Sequence, residues 1–496
     1  MKKVLLLVVL VGGMVMLHAQ KLEKTSLKFD VSYFFYGNID GFGSDENNYY
    51  LYYGTKNFTQ KGEDSYYVIN KKNAAVKRYV IVKNKNERFL KATLHADDVI
   101  ILIVRDQKRE QKTQIVKQAY AKTTGKLRQE TVIASFPKSK SENFLFRSTM
   151  SPDKTKIGFL FMIANKKNTV DGYYVAVLNE ACNVEWNSVN DLELSNESFS
   201  LKNLALTNKG ELYIAFFSSP GNVKQAVNKK SYIDLVYLTE ETKEKIKMPL
   251  EKHELADVFL KPLKNGEVYM AAVLTANKDS YADEFFSLKL NGSNFNDGGS
   301  HTKEIVEKNT HAKFPATYFL QGDFLYSLKI DNILELDNGS IAVVCEQEAR
   351  AYQTSYEGIS YCYVAKGAVS TFFVNGKDAS IENVSVINRF QTTSIRNYDV
   401  KASSASIYSF AYGNKVAYLS NDEFTKHVTS AKKIKNDRCI ILTTQESGEN
   451  AKTEVLTGKQ APSDALLRQI LFQENGKLIV LTKDYKTGYI ETLSLP

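Results

Sequence analysis

Cysteine and histidine are scarce. Four cysteines, Cys182, Cys345, Cys362 and Cys439, in 496 residues exclude a disulfide-built scaffold and show no CxxC spacing of the zinc type. Buried thiols are the default for such residues. Cys345 and Cys362, on successive predicted strands, are the one pair whose placement allows a disulfide. His95, His253, His301, His311 and His427 are scattered and form neither HxH nor HExxH, so no metal and no cofactor is expected. The segment from Asn291 to Glu304 is rich in Asn, Asp and Gly but lacks the alternating acidic ligands of a calcium loop, and it reads as a plain loop. A GxSxG elbow is absent, which argues against a serine peptidase. There is no Gly-rich phosphate cradle and no nucleic-acid-reading motif.

Long apolar runs are also missing beyond the first residues. Lys2 and Lys3 precede an apolar stretch from Val4 to Leu17, and Ala19 stands before Gln20, the order of a secretory signal peptide cut between Ala19 and Gln20. The stretch is about 14 residues, interrupted by Gly12 and Gly13, and falls short of the roughly 20 that span a bilayer. No cysteine follows the expected cut, so a lipid anchor there is not expected. The organisation read from the sequence is a leader over 1–19 and a single domain over 20–496, exported to the periplasm, the cell surface or the medium, with no membrane span in the mature chain.

What is abundant is β-forming material. Tyr (29) and Phe (27) outweigh Pro (8) and Trp (1), a bias toward pleated, half-buried strands. The net charge of +9 becomes +7 without Lys2 and Lys3. The densest basic region, Lys83 to Arg128, reads as wet outer strands and loops rather than a polyanion site. Helical 3.6-residue periodicity is unconvincing anywhere in the mature chain.

Tight turns recur at Asp97-Asp98, Asp153-Lys154, Lys209-Gly210, Asn265-Gly266, Asn338-Gly339, Gly413-Asn414 and Asn475-Gly476, roughly 55 to 75 residues apart, each between apolar strands. The strand after each turn, as in Ile157 to Met162 or Val268 to Val273, is apolar on both faces and demands cover on both sides. Segments such as Tyr173 to Leu178 and Ile233 to Leu238 alternate as half-exposed strands do. A second bend follows each first turn, giving four strands per repeat. The expected fold is all-β, a single β-propeller of four-stranded antiparallel blades. Eight blades are counted, with seven as the alternative if the segment around Tyr49 to Tyr53 belongs to its neighbour. The last unit lacks a fourth strand, and an N-terminal strand within Leu22 to Phe35 is expected to close the ring.

The stretches Tyr173 to Trp186, Leu206 to Tyr213, Leu336 to Glu346 and Tyr408 to Asp422 resemble a group of exported propeller-like proteins of unassigned function from Bacteroidetes. The resemblance runs from Met150 onward, over about two thirds of the chain. It implies the fold and export and carries no reaction. Ala365 to Gln391 lacks the Trp that the group shows on its outer strand.

No motif assigns chemistry, and propellers host many unrelated functions. The leading expectation is a non-catalytic exported propeller that binds an envelope protein or a glycan. Its rival is a hydrolase or lyase acting on a polysaccharide, with its site in the central channel. A structural member of an envelope complex is a third reading. The longest inserted loop, Glu346 to Tyr361, places Glu346, Tyr352 and Tyr356 at one mouth of the ring as the expected binding residues.

Overall fold

The structure is a computed structural model. It describes residues 24–30, 38–54, 64–81, 83–84, 87–139, 146–164, 170–192, 197–220, 231–250, 254–275, 282–292, 300–304, 325–354, 360–387, 391–396, 407–420, 441–455, 466–474, 477–483 and 487–494. The leader, with Ala19 and Gln20, and Cys439 lie outside them.

Every regular element among the described residues is a β-strand. They form seven four-stranded antiparallel sheets and one of five strands, an arrangement consistent with a β-propeller. In chain order the sheets span Asn38–Val80, Glu87–Pro137, Phe146–Asp191, Glu197–Pro249, Glu254–Glu304, Leu325–Arg396, Tyr408–Val455 and Leu466–Ser494. The eighth takes its outer strand from the other end of the chain. Lys24–Asp30 pairs antiparallel with Thr487–Ser494, Leu27 opposite Ile490.

Within each of the first seven sheets the first four strands run in sequence order, and the first strands touch between the first and second, third and fourth, fourth and fifth, fifth and sixth, sixth and seventh, and eighth and first sheets. The second strand is the most apolar. Val268–Thr275 of the fifth sheet is buried at all eight positions, which two-sided cover requires. Third strands, expected to be half-exposed, are buried as well: Tyr232–Leu238 is buried at all but its first residue. The alternation falls one strand further out, on Lys243–Pro249, where the fourth strand forms the outer edge of the sheet and turns one face to water.

The core is divided among eight apolar clusters, each shared by two sheets. Tyr50, Tyr66, Ile101 and Tyr120 join the first and second sheets, and Phe216 meets Tyr173 between the third and fourth. Leu419 with Leu478 joins the seventh to the eighth, and Leu51 with Ile479 joins the eighth to the first. Large side chains at these seams, each worth about 1.5–3 kcal/mol when fully buried, fasten sheet to sheet.

The turns follow the punctuation of the sequence. Gly210, Gly266, Gly339 and Gly413 take φ of 86°, 90°, 81° and 60°, the left-handed region that a Cβ disfavours. In the basic region Lys83 to Arg128, Lys83 reaches Asp64 and Lys117 reaches Asn183 of neighbouring sheets, while arginines pair within their own. Arg105 pairs with Glu87 and Glu130, and Arg128 with Asp98.

Candidate functional site

Two regions depart from the repeat. The first is the row of first strands. In six of the eight sheets the first strand slips against the second, at Gly41/Gly43, Phe89/Lys91, Leu201/Asn203, Leu255/Asp257, Ile330/Asn332 and Leu467/Gln469. A bulge of this kind bends the strand and re-aims a side chain. In three of the six the residue after the slip reaches the next sheet. Asn203 Oδ1 accepts the Leu260 N–H at 3.2 Å, Asp257 Oδ2 accepts the Ile330 N–H at 3.0 Å, and Asn332 Nδ2 donates to the Ser409 carbonyl at 3.1 Å. These bonds tie neighbouring first strands where no ladder connects them.

The same strands carry charge. Lys329 Nζ donates to the Ala256 carbonyl at 3.0 Å, and Lys202 Nζ lies 5.2 Å from the centre of the Phe217 ring. Burial pushes the Asp257 carboxyl up, against the pull of Lys329 and Lys202. Burial also draws Lys91, Lys202 and Lys261 below the ordinary lysine range. All four keep part of their surface in solvent. These groups are desolvated yet reachable by water.

Turns between first and second strands gather at one end of the sheets. The Asp153 N–H donates to Asn208 Oδ1 at 3.1 Å, Lys264 N–H to Glu335 Oε2 at 2.9 Å, and Asp337 N–H to the Gly413 carbonyl at 3.1 Å. Lys154 Nζ spans from the third sheet to the Gln473 carbonyl of the eighth at 3.2 Å. Trp186, on the outer strand of the third sheet, donates to the Gly210 carbonyl at 3.1 Å.

The second departure is the sixth sheet. Its middle strands Ile341–Thr354 and Ser360–Val374 run 14 and 15 residues, whereas no other second or third strand described exceeds 10. Beyond Arg350, which pairs with Leu325, the two strands continue without the first strand as an arm. The fourth strand Ile381–Ile387 covers the sheet part of Ser360–Val374, and a fifth, Gln391–Arg396, covers the arm part. The exchange of partners coincides with a register slip at Glu346/Glu348. At this joint Lys366 Nζ lies 2.8 Å from Glu346 Oε2 and 2.6 Å from Glu348 Oε2, all three side chains buried. Burial opposes the Lys366 charge, but the two carboxylates prevail and hold its pKa above the ordinary lysine range.

This arm corrects two sequence expectations. Glu346 to Tyr361 is no inserted loop. Most of it is strand, with 355–359 and thus Tyr356 outside the described residues. Glu346 is a buried ion-pair member rather than a residue at a mouth, and Tyr352 is a strand residue opposite Cys362. The disulfide that the sequence allowed between Cys345 and Cys362 is excluded, and Cys345 follows the default of a buried thiol. Cys345 stands opposite Ser370, far along the hairpin from Cys362, and is a free buried thiol. Had the connection been a loop the two would have faced each other; the lengthened hairpin moves the register between them.

The first-strand slips and the clasps at Asn203, Asp257 and Asn332 were missed from sequence. Their trace is an Asx residue inside a first strand of mixed polar and apolar residues. Among the described residues no group of three or more His, Cys, Asp or Glu could hold a metal ion, and no helix is long and apolar enough to cross a membrane.

No protein-family model and no curated protein matches the chain. Among solved structures it is similar to the β-propeller domain of the Trilobed protease from Pyrococcus furiosus, at 11% identity and a TM-score of 0.34, over 87% of this chain and 98% of that one. It is also similar to the polysaccharide lyase Uly1, at 11% identity and a TM-score of 0.35, over 96% of this chain and 100% of that one. A protein of unknown function from Dyadobacter fermentans shares 9% identity at a TM-score of 0.30, over 84% of this chain and 97% of that one. Likeness of this degree assigns no activity to the chain.

Proposed function

We propose that this chain is an exported eight-bladed β-propeller, closed by its N-terminal strand, that binds a protein or glycan partner in the cell envelope without catalysing a reaction. The sixth sheet carries the reading. A repeat that builds eight similar sheets needs neither 15-residue strands nor a fifth strand, and a rigid arm held by a buried ion triad is a surface for recognition. Pairing of Lys24–Asp30 with Thr487–Ser494 and the seam between the eighth and first sheets support closure. A hydrolase is less well supported, since both oxygens of Asp257 accept backbone N–H groups, from Val258 at 3.1 Å and Ile330 at 3.0 Å, and are spent on architecture.

The test is a pulldown by tagged mature protein from the envelope fraction of its own cell, with glycan-array binding beside it. A variant with residues 351–363 replaced by an Asn-Gly turn is expected to lose the partner while keeping the fold. Equal capture by both proteins, or glycan turnover by the wild type, overturns the reading.

A further inference from the structure

We propose that Lys202, with Lys329 beside it, forms an oxyanion-binding point on the row of first strands, and that its ligand is the carboxylate or sulfate of an acidic glycan. This rests on the binding reading above and names its ligand chemistry.

Lys202 is the extra residue of its bulge, so the bulge and not the strand alternation aims it. Its ammonium rests over the Phe217 ring, and among the described residues no ion pair engages it. An amine drawn out of water without a counter-ion is costly, and Lys329 adds repulsion to the effect of burial. Lys329 is itself anchored on the Ala256 carbonyl and holds no ion pair within 4.0 Å in the described set.

Asp257 is the carboxylate that both lysines feel. Its oxygens are aimed at the Val258 and Ile330 amides. Asp331, the extra residue of the next bulge, is exposed and accepts the Ser409 Oγ–H at 2.7 Å. Two ammonium groups around one carboxylate leave an excess positive charge in partly desolvated surroundings, where attraction is stronger than in open water. An oxyanion settling there replaces the missing counter-charge, and the glycan that carries it follows from the binding reading above. Free sulfate or phosphate has the same charge chemistry and lacks the sugar.

The test is calorimetric titration of the mature full-length protein with oligogalacturonate, with a neutral cello-oligosaccharide and with inorganic sulfate. Oligogalacturonate is expected to bind, and more weakly as salt rises. Lys202→Met should weaken it by about tenfold, while Lys202→Arg keeps most of the affinity. Asp257→Asn retains an oxygen for the Ile330 amide and removes the competing charge, so it should bind more tightly than wild type; this gain of function is readable even if Lys202→Met fails to fold. Equal affinity in folded Lys202→Met, equal binding of the neutral oligosaccharide, or no binding of the acidic one overturns the proposal. Lys202-dependent binding of sulfate alone overturns the glycan part. If the arm variant loses its envelope partner while Lys202→Met keeps it and no acidic glycan binds, this inference fails and the binding reading stands.

Discussion

The fifth and sixth sheets are neighbours built on the same plan, yet their second strands end differently. Val268–Thr275 is buried throughout and uncharged. Its counterpart begins alike, with Ile341, Ala342, Val343, Val344 and Cys345 buried, and then buries Glu346, Gln347 and Glu348 as well. The apolar strand needs only its two flanking sheets. The charged one needs Lys366 from the opposite strand, and that requirement fixes the register of everything beyond it. Apolar packing tolerates small slips, whereas a buried ion triad specifies one arrangement, a role open to such groups even where they add little net stability.

The largest expected effect separates these two modes. Lys366→Met should cost about 3–5 kcal/mol in denaturant unfolding, because two buried carboxylates lose their shared ammonium. Replacing Glu346, Glu348 and Lys366 together by apolar residues should restore most of that loss while loosening the arm's register. A single replacement that unfolds like wild type would erase the contrast between the sheets. In the fifth sheet, Met270→Ala should cost roughly 2–5 kcal/mol by cavity formation, with no change in the exchange of the arm's amides.

Asn203→Ala should cost roughly 1–3 kcal/mol by leaving the Leu260 amide without its acceptor, and should raise hydrogen exchange at Leu260 first. The smallest effect is one of pH. Lys366 titrates above the ordinary lysine range in the folded protein, so its stabilisation is complete below that range and is lost as pH rises through the raised value. Amides at the joint should therefore lose protection in alkali before those of Val268–Thr275. Asp45 and Asp153 behave oppositely. For each, hydrogen bonds outweigh desolvation and lower the pKa, so their contribution is present above the usual carboxylate range and fades in acid.

Much of the scaffold was legible. Asn-Gly and Asp-Lys punctuation marks turns because left-handed backbone selects few residues, as Lys154 at φ 62° and Gly339 at φ 81° show. Strands apolar on both faces betray stacked sheets. The arm was not legible, because Glu346-Gln347-Glu348 looks like a wet loop until Lys366 is seen to cross the hairpin. Charge neutralisation between residues so placed leaves no periodic mark. The bulges hid for a similar reason. One extra residue in a first strand, such as Lys202 or Asp331, mimics ordinary alternation, and only the partner strand reveals the slip.

The ladder between Lys24–Asp30 and Thr487–Ser494 has a consequence for folding. Lys24–Asp30 has no partner until Thr487–Ser494 has been made. Joining the two closes a loop that contains the seven other sheets, and the entropic cost of that closure falls once those sheets have folded and brought the two strands near.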